Sequence, residues 1–147
     1  IISGAIAYTQ ILAYTGATEG LVNAVLSVNA SPIALVGLML TTVVILGMVM
    51  GPVPIMLVTL PVFIPVIEKL GFDPIWFSVL YLIAIETGST SPPFGAGLFV
   101  MKGVAPKGTT MNDIYLAAIP FIICDVIAIL IVLAFPVIVS WPLARMF

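Results

Sequence analysis

Long apolar stretches separated by short polar breaks run along the whole chain. Residues 31–67 carry no charge, and at about 1.5 Å per residue a helix of that length exceeds the ~30 Å hydrocarbon layer of a bilayer. The same stretch is short for two full crossings joined by a turn. The pattern predicts an all-α integral membrane protein, built as a helical bundle.

The polar breaks divide the chain into four predicted elements of one membrane-embedded fragment, 1–147. The chain does not begin with Met, and Ile1 already lies in an apolar segment, so we expect a piece of a larger membrane protein. The elements are a helix end plus connecting helix at 1–30, a re-entrant hairpin at 31–69, a broken helix at 74–102 and a final helix at 110–145.

Local signals mark where two of these helices begin. Asp73 is a suitable N-cap, and Pro74 suits the first helical position. Trp76, close to this start, is typical of an anchor at the membrane interface. Thr110 and Asp113 have the spacing of a capping box.

The middle of the second element predicts a chain reversal. Residues 47–54 contain two glycines and two prolines, which are strong turn signals. Pro52 and Pro54 lack an N–H, so each frees the carbonyl four residues before it. A re-entrant helical hairpin with its tip at 47–54 satisfies this pattern. The alternative is one long tilted helix with a kink.

The most informative segment is residues 86–97, which places hydroxyls, glycines and two prolines between apolar stretches. Pro92 cannot donate to the carbonyl of Gly88 and therefore frees it. Pro93 frees the carbonyl of Ser89 in the same way. Backbone N–H and C=O groups that lack hydrogen-bond partners at membrane depth are tolerated only where they are buried in protein or line a cavity. We therefore predict a discontinuous transmembrane helix whose carbonyls are available to a ligand.

Composition narrows the function classes. Apolar residues make up 63% of the chain and charged residues 7%, and the net charge is −2, which argues against nucleic acid binding. The chain has no histidine, so it cannot carry a His-containing triad or an HExxH zinc site. Cys124 is the single cysteine and cannot form a disulfide within the chain. We expect no enzyme and no organic cofactor.

The two breaks together predict a cation site. Free carbonyls and hydroxyls at half-helix ends suit a hard cation such as Na⁺, and half-helix N-termini suit an anionic substrate group. Soft ligands are lacking, which argues against zinc or copper. The alternative is that the prolines are packing kinks without a ligand. Two breaks that can meet near the bilayer midplane favour transport over that alternative.

Two acids lie deep within apolar segments, where ionisable residues are functional by default. Glu86 adjoins the break, and we expect it to bind the ion or to support the broken backbone. Asp125 is distant from both breaks, and packing against a partner helix is the favoured role. Ser89 and Thr90, inside the break, are predicted to face the substrate.

Five motifs carry a resemblance to a known family, and they lie at 47–50, 61–65, 70–74, 88–95 and 98–106. In order and spacing they resemble the DctM-like large membrane subunit of TRAP transporters, over most of the chain. The resemblance implies the C-terminal half of an elevator-type, Na⁺-coupled secondary transporter in a bacterial or archaeal inner membrane. It also implies a small membrane subunit and a soluble periplasmic substrate-binding protein that delivers small organic acids.

Matched to the family's motifs, one sodium site falls on Gly47, Gly88, Ser91 and Phe94. The resemblance implies that the glycines and the phenylalanine bind through their carbonyls. Gly51 stands where members commonly carry an acid, and Ser91 replaces the commoner threonine while keeping the hydroxyl. The other function classes left open are a channel subunit and a structural membrane-anchoring domain.

Overall fold

The computed structural model describes residues 14–27 and 31–146, and before them the single positions 4, 7, 8, 10 and 11. Every regular element in this part is a helix, which confirms the predicted all-α class. The helix end predicted within residues 1–14 lies largely outside the described residues. The helices are α1 (Ala17–Ser27), α2 (Pro32–Val49), α3 (Pro52–Lys69), α4 (Pro74–Thr90), α5 (Ala96–Val104), α6 (Met111–Ala134) and α7 (Val137–Met146).

Three of the described helices are long and apolar enough to cross a membrane, namely α2, α3 and α6. The first two have 18 residues each and the third has 24. A helix of this length spans about 27–36 Å, close to the thickness of a bilayer's hydrocarbon layer. These lengths agree with the predicted integral membrane bundle.

The helical structure is interrupted between α2 and α3, within residues 47–54, where a chain reversal was predicted. Only Met50 and Gly51 separate the two helices, and both have extended backbone, so the segment is not one continuous kinked helix. Pro52 and Pro54 lie in the first turn of α3, where backbone N–H groups have no intrahelical partner to lose. The prolines therefore begin the second helix without weakening it.

Both predicted helix starts are confirmed by their capping hydrogen bonds. The Asp73 carboxylate accepts from the backbone N–H of Ile75 at 2.8 Å, and Pro74 is the first residue of α4. Thr110 and Asp113 form a reciprocal capping box at the start of α6, with backbone-to-side-chain distances of 2.8 and 3.2 Å. Each cap satisfies N–H groups that the first turn of a helix leaves unpaired.

Helix α4 lies at the centre of the structure. It packs most extensively against α2 and also contacts α3, α5, α6 and α7. The hydroxyls of Tyr81 on α4 and Thr59 on α3 are 2.6 Å apart and buried. Because Thr59 donates its hydrogen to the carbonyl of Ile55 at 2.9 Å, Tyr81 is the donor of the pair. The buried apolar residues of α4 are Trp76, Phe77, Leu80, Tyr81, Ala84 and Ile85.

Trp76 is buried within the chain, at 4% exposure, so the predicted role as an interfacial anchor is wrong. Its indole N–H donates to the carbonyl of Val132 on α6 at 2.9 Å. Four residues after Val132 stands Pro136, which has no N–H to give that carbonyl. The indole supplies the missing hydrogen bond and ties the start of α4 to the end of α6.

The predicted final helix at 110–145 is two helices. α6 ends at Ala134, Phe135 adopts a non-helical backbone, and α7 begins at Val137. Pro136 explains the break, because the residue before a proline is disfavoured in the helical region. Pro120, by contrast, lies inside α6 without ending it.

Candidate cation site

Gly47 on α2 and Gly88 on α4 are buried, and their backbones are in contact. A β-carbon placed on Gly47 would lie 2.9 Å from the α-carbon of Gly88, and one placed on Gly88 would lie 2.7 Å from the carbonyl oxygen of Val44. Carbon atoms in ordinary contact are about 3.5–4.0 Å apart. Glycine is therefore required at both positions, and the structure brings the two predicted breaks together.

The contact lies where two helices end. α2 ends at Val49, two residues after Gly47, and α4 ends at Thr90, two residues after Gly88. The last four carbonyls of a helix have no intrahelical partner, and the helix dipole places about half a negative charge at that end. Two negative helix ends thus meet at one point, which favours a cation there.

The carbonyl of Gly88 is not left unpaired, in contrast to the prediction from Pro92. The proline does remove the usual helical partner, but the backbone N–H of Ser91 donates to this carbonyl at 3.2 Å. Ser91 has extended backbone, as expected before a proline, and its N–H still reaches back three residues. A carbonyl oxygen has two lone pairs, so Gly88 retains one for a ligand.

The hydroxyls of the break direct their hydrogens to their own helix. Ser91 is only 5% exposed and donates to the carbonyl of Thr87 at 2.6 Å. Ser89 and Thr90 each donate to the carbonyl of Glu86 at 3.0 Å. Since a hydroxyl has one hydrogen and two lone pairs, each oxygen can still accept a hydrogen bond or bind a cation.

Gly95 is a residue of the break that sequence reasoning did not assign. Its backbone N–H donates to the carbonyl of Ser91 at 3.0 Å, and the peptide bond between Pro92 and Pro93 is cis. A β-carbon on Gly95 would collide with the carbonyl oxygens of Ser89 and Ser91. The chain requires glycine here because two carbonyls approach its backbone, and no local sequence signal announces that approach.

The remaining predicted site residues have different environments. The side chain of Phe94 is 62% exposed, and its carbonyl belongs to the loop between α4 and α5. Glu86 is exposed, and within the described residues its carboxylate has no hydrogen bond or ion pair; its main-chain carbonyl supports the break instead. Asp125 is half-buried on α6.

Tyr115 on α6 also contacts the break, and the sequence did not predict this contact. Its hydroxyl donates to the carbonyl of Pro93 at 3.0 Å. At the other end of the same helix pair, Trp76 donates to Val132. The two bonds join the start of each helix to the end of the other, so α4 and α6 run antiparallel.

A cleft of about 560 Å³ opens between α5 and α6, beside the break. Thr90, which was predicted to face the substrate, lines this cleft, and Asp113 lies on its wall. The other lining residues are mainly apolar and include Leu98, Met101, Ile114 and Phe121.

The family model described as "Tripartite ATP-independent periplasmic transporter, DctM component" matches residues 1–138 of the 147 in the chain. The chain belongs to the DctM family. This confirms the family to which the motifs were assigned. Gly47, Gly88, Ser91 and Phe94 all lie inside the matched range, as does the whole of α4 and α5.

Three relatives illustrate the similarity. The 2,3-diketo-L-gulonate TRAP transporter large permease protein YiaN of Escherichia coli is 39% identical over 75 residues, which are 51% of this chain and 18% of YiaN. The C4-dicarboxylate TRAP transporter large permease protein DctM of Pseudomonas aeruginosa is 28% identical over 138 residues, 92% of this chain and 31% of that protein. DctM of Vibrio cholerae is 26% identical over 141 residues, 96% and 31% respectively.

The chain therefore spans less than a third of the length of these relatives. All of them are named as permeases of transporters, not as enzymes, which confirms the expectation that this DctM-family chain is not an enzyme.

Proposed function

We propose that this DctM-family chain is part of a Na⁺-coupled secondary transporter for small organic acids, which a periplasmic substrate-binding protein delivers. The observation that carries the proposal is the contact of Gly47 with Gly88 at the C-terminal ends of α2 and α4. The substrate class is supported by the names of two relatives, which refer to C4-dicarboxylates and to 2,3-diketo-L-gulonate, both organic acids.

The proposed ion is Na⁺, held by the carbonyls of Gly47, Gly88 and Phe94 and by the hydroxyl of Ser91. All of these ligand atoms are oxygens, and hard cations prefer oxygen ligands to soft ligands such as sulfur. Divalent cations are usually bound with carboxylates, and this donor set contains none. The negative charge comes from two helix ends of about half a charge each, which suits a monovalent cation.

The proposed mechanism couples the ion to the shape of the substrate site. In it, α2 and α3 form a re-entrant hairpin with its tip at Met50 and Gly51, and α4 and α5 form the discontinuous transmembrane helix. A ligand shifts a conformational equilibrium only by its differential affinity for the two states. Na⁺ contacts both helix ends only when they are together, so its binding closes the tip on the break and completes a site to which Ser89 and Thr90 contribute.

The proposed assembly extends beyond this chain. The remaining half of the large subunit supplies the other side of the substrate site and carries the hairpin and the broken helix across the membrane as an elevator. A small TRAP membrane subunit and the periplasmic binding protein complete the transporter, which lies in the lipid bilayer of a bacterial or archaeal inner membrane.

Uptake into proteoliposomes, with and without an inward Na⁺ gradient, tests this function in the full-length transporter with its binding protein. We expect saturable uptake that requires the gradient. Gly88→Val should reduce uptake at least about fivefold, because the added side chain forces α2 and α4 apart at a site where overpacking costs about 1–3 kcal/mol.

Gly103→Val is the matched control, since a β-carbon at Gly103 on α5 would have no atom within 4 Å. Unchanged uptake in Gly88→Val would remove the broken helix from the mechanism. Conductance that does not saturate and needs no binding protein would instead indicate a channel. Full activity after Ser89, Thr90 and Ser91 are all replaced by alanine would indicate an anchoring domain.

A further inference from the structure

The hydroxyl of Tyr115 is the one hydrogen-bond donor that reaches the carbonyl of Pro93 in the described part of the chain. Pro93 lies in the loop between α4 and α5, and within the described residues no backbone N–H pairs with its carbonyl. Tyr115 projects from the first turns of α6 and is half-buried. A side chain of a neighbouring helix thus holds the loop of the break.

This bond and a second one hold the backbone on both sides of Phe94. The carbonyl of Pro93 belongs to the peptide plane before Phe94, and Tyr115 fixes its direction. The N–H of Gly95 belongs to the plane after it and is bound to the carbonyl of Ser91 at 3.0 Å. A peptide unit is planar, so fixing the Gly95 N–H also fixes the direction of the Phe94 carbonyl.

We propose that Tyr115 is a positioning residue for the cation site, which holds the Phe94 carbonyl in place through the carbonyl of Pro93. The inference rests on the proposed function, in which Phe94 is one of the ligands. Without the tyrosine hydroxyl, the plane before Phe94 loses its restraint, and only the bond from the Gly95 N–H to Ser91 still holds the Phe94 carbonyl. The ligand is then less firmly held, so more ordering is required each time the ion binds. Tyr115 therefore acts on affinity for the ion, through Pro93, without touching the ion itself.

The test compares Tyr115→Phe with the wild type in the full-length transporter, reconstituted with its binding protein. Loss of a neutral hydrogen bond worth about 0.5–1.5 kcal/mol should raise the Na⁺ concentration for half-maximal uptake about two- to tenfold. The maximal rate at saturating Na⁺ should be retained, because the ring and its packing remain. Tyr14→Phe is the matched control, since Tyr14 is 90% exposed.

A second measurement separates this inference from the proposed function. Hydrogen–deuterium exchange should be faster at the backbone amides of residues 94–97 in Tyr115→Phe than in the wild type, whether or not Na⁺ is present. Faster exchange with an unchanged Na⁺ requirement would overturn the positioning role, and so would unchanged exchange. A wild type that transports without any Na⁺ dependence would overturn the proposed Na⁺ site itself, and the exchange measurement would still decide whether Tyr115 holds the loop.

Discussion

The contact between Gly47 and Gly88 makes the substitution Gly47→Ala informative. The new β-carbon would lie 2.9 Å from the α-carbon of Gly88 and 3.4 Å from the carbonyl oxygen of Ile85. Both neighbours are backbone atoms of α4, which cannot move aside as a flexible side chain would. The helices must therefore separate by about 0.6–1.1 Å to restore carbon–carbon contacts of about 3.5–4.0 Å.

Gly37→Ala, in the same helix, isolates the cost of that collision. A β-carbon at Gly37 would have no atom within 4 Å, so this variant gains the helix propensity of alanine without a clash. That gain, about 1 kcal/mol, is common to both variants. Their difference in the free energy of unfolding should therefore equal the overpacking cost of about 1–3 kcal/mol, with Gly47→Ala the less stable.

The assay unfolds the purified full-length transporter in detergent with heat or with increasing denaturant and measures its free energy of unfolding. Gly47→Ala should also need more Na⁺ for half-maximal uptake than Gly37→Ala, because α2 and α4 no longer meet at the proposed site. Equal stability of the two variants would refute the close approach of these helices.

Three further substitutions test other contacts of the central helix in the same unfolding assay. Trp76→Phe should lower the free energy of unfolding by about 1–3 kcal/mol, because it leaves the buried carbonyl of Val132 unpaired. An unchanged unfolding midpoint would exclude that hydrogen bond. Tyr81→Phe should lower the free energy of unfolding by less, about 0.5–1.5 kcal/mol, because Thr59 keeps its hydrogen bond to the carbonyl of Ile55. A larger loss than in Trp76→Phe would contradict this order. Gly95→Ala should lower the free energy of unfolding by about 1–3 kcal/mol, because the new β-carbon collides with two carbonyls. The control Gly103→Ala should be neutral or stabilising. Equal effects of the two substitutions would disprove the tight turn at Gly95.

The breaks were predictable from the sequence because proline acts locally. Both breaks combine prolines, at Pro52 and Pro92, with nearby glycines, and both interruptions are present, whereas the lone Pro120 lies inside a helix. The helix starts at Asp73 and Thr110 were predictable for the same reason, since a cap involves residues within one turn. The DctM family was also recognisable, because its motifs have a characteristic order and spacing.

Contacts between helices were not predictable in the same way. The sequence indicated that two breaks can meet, but the pairing of Gly47 with Gly88 depends on how α2 crosses α4. Trp76 was misjudged because tryptophan is common at membrane interfaces, and its partner is 56 residues away. Tyr115 was missed for a similar reason, because its partner lies 22 residues earlier on another element.

One local prediction also needed correction. Pro92 removes the helical partner of Gly88, but a shorter turn closed by Ser91 replaces it. Counting the bond that proline removes does not reveal which other N–H lies within reach.

Na⁺-dependent stabilisation of the purified full-length transporter tests the proposed cation site most directly. A ligand that binds only the folded state stabilises it by about 2.7 kcal/mol at one hundred times its Kd. We expect Na⁺, against K⁺ at equal ionic strength, to raise the unfolding temperature of the wild type and of Ser91→Thr, which keeps the hydroxyl. Ser91→Ala should need several-fold more Na⁺ for the same rise. An equal response of Ser91→Ala and the wild type to Na⁺ would contradict a site at this break.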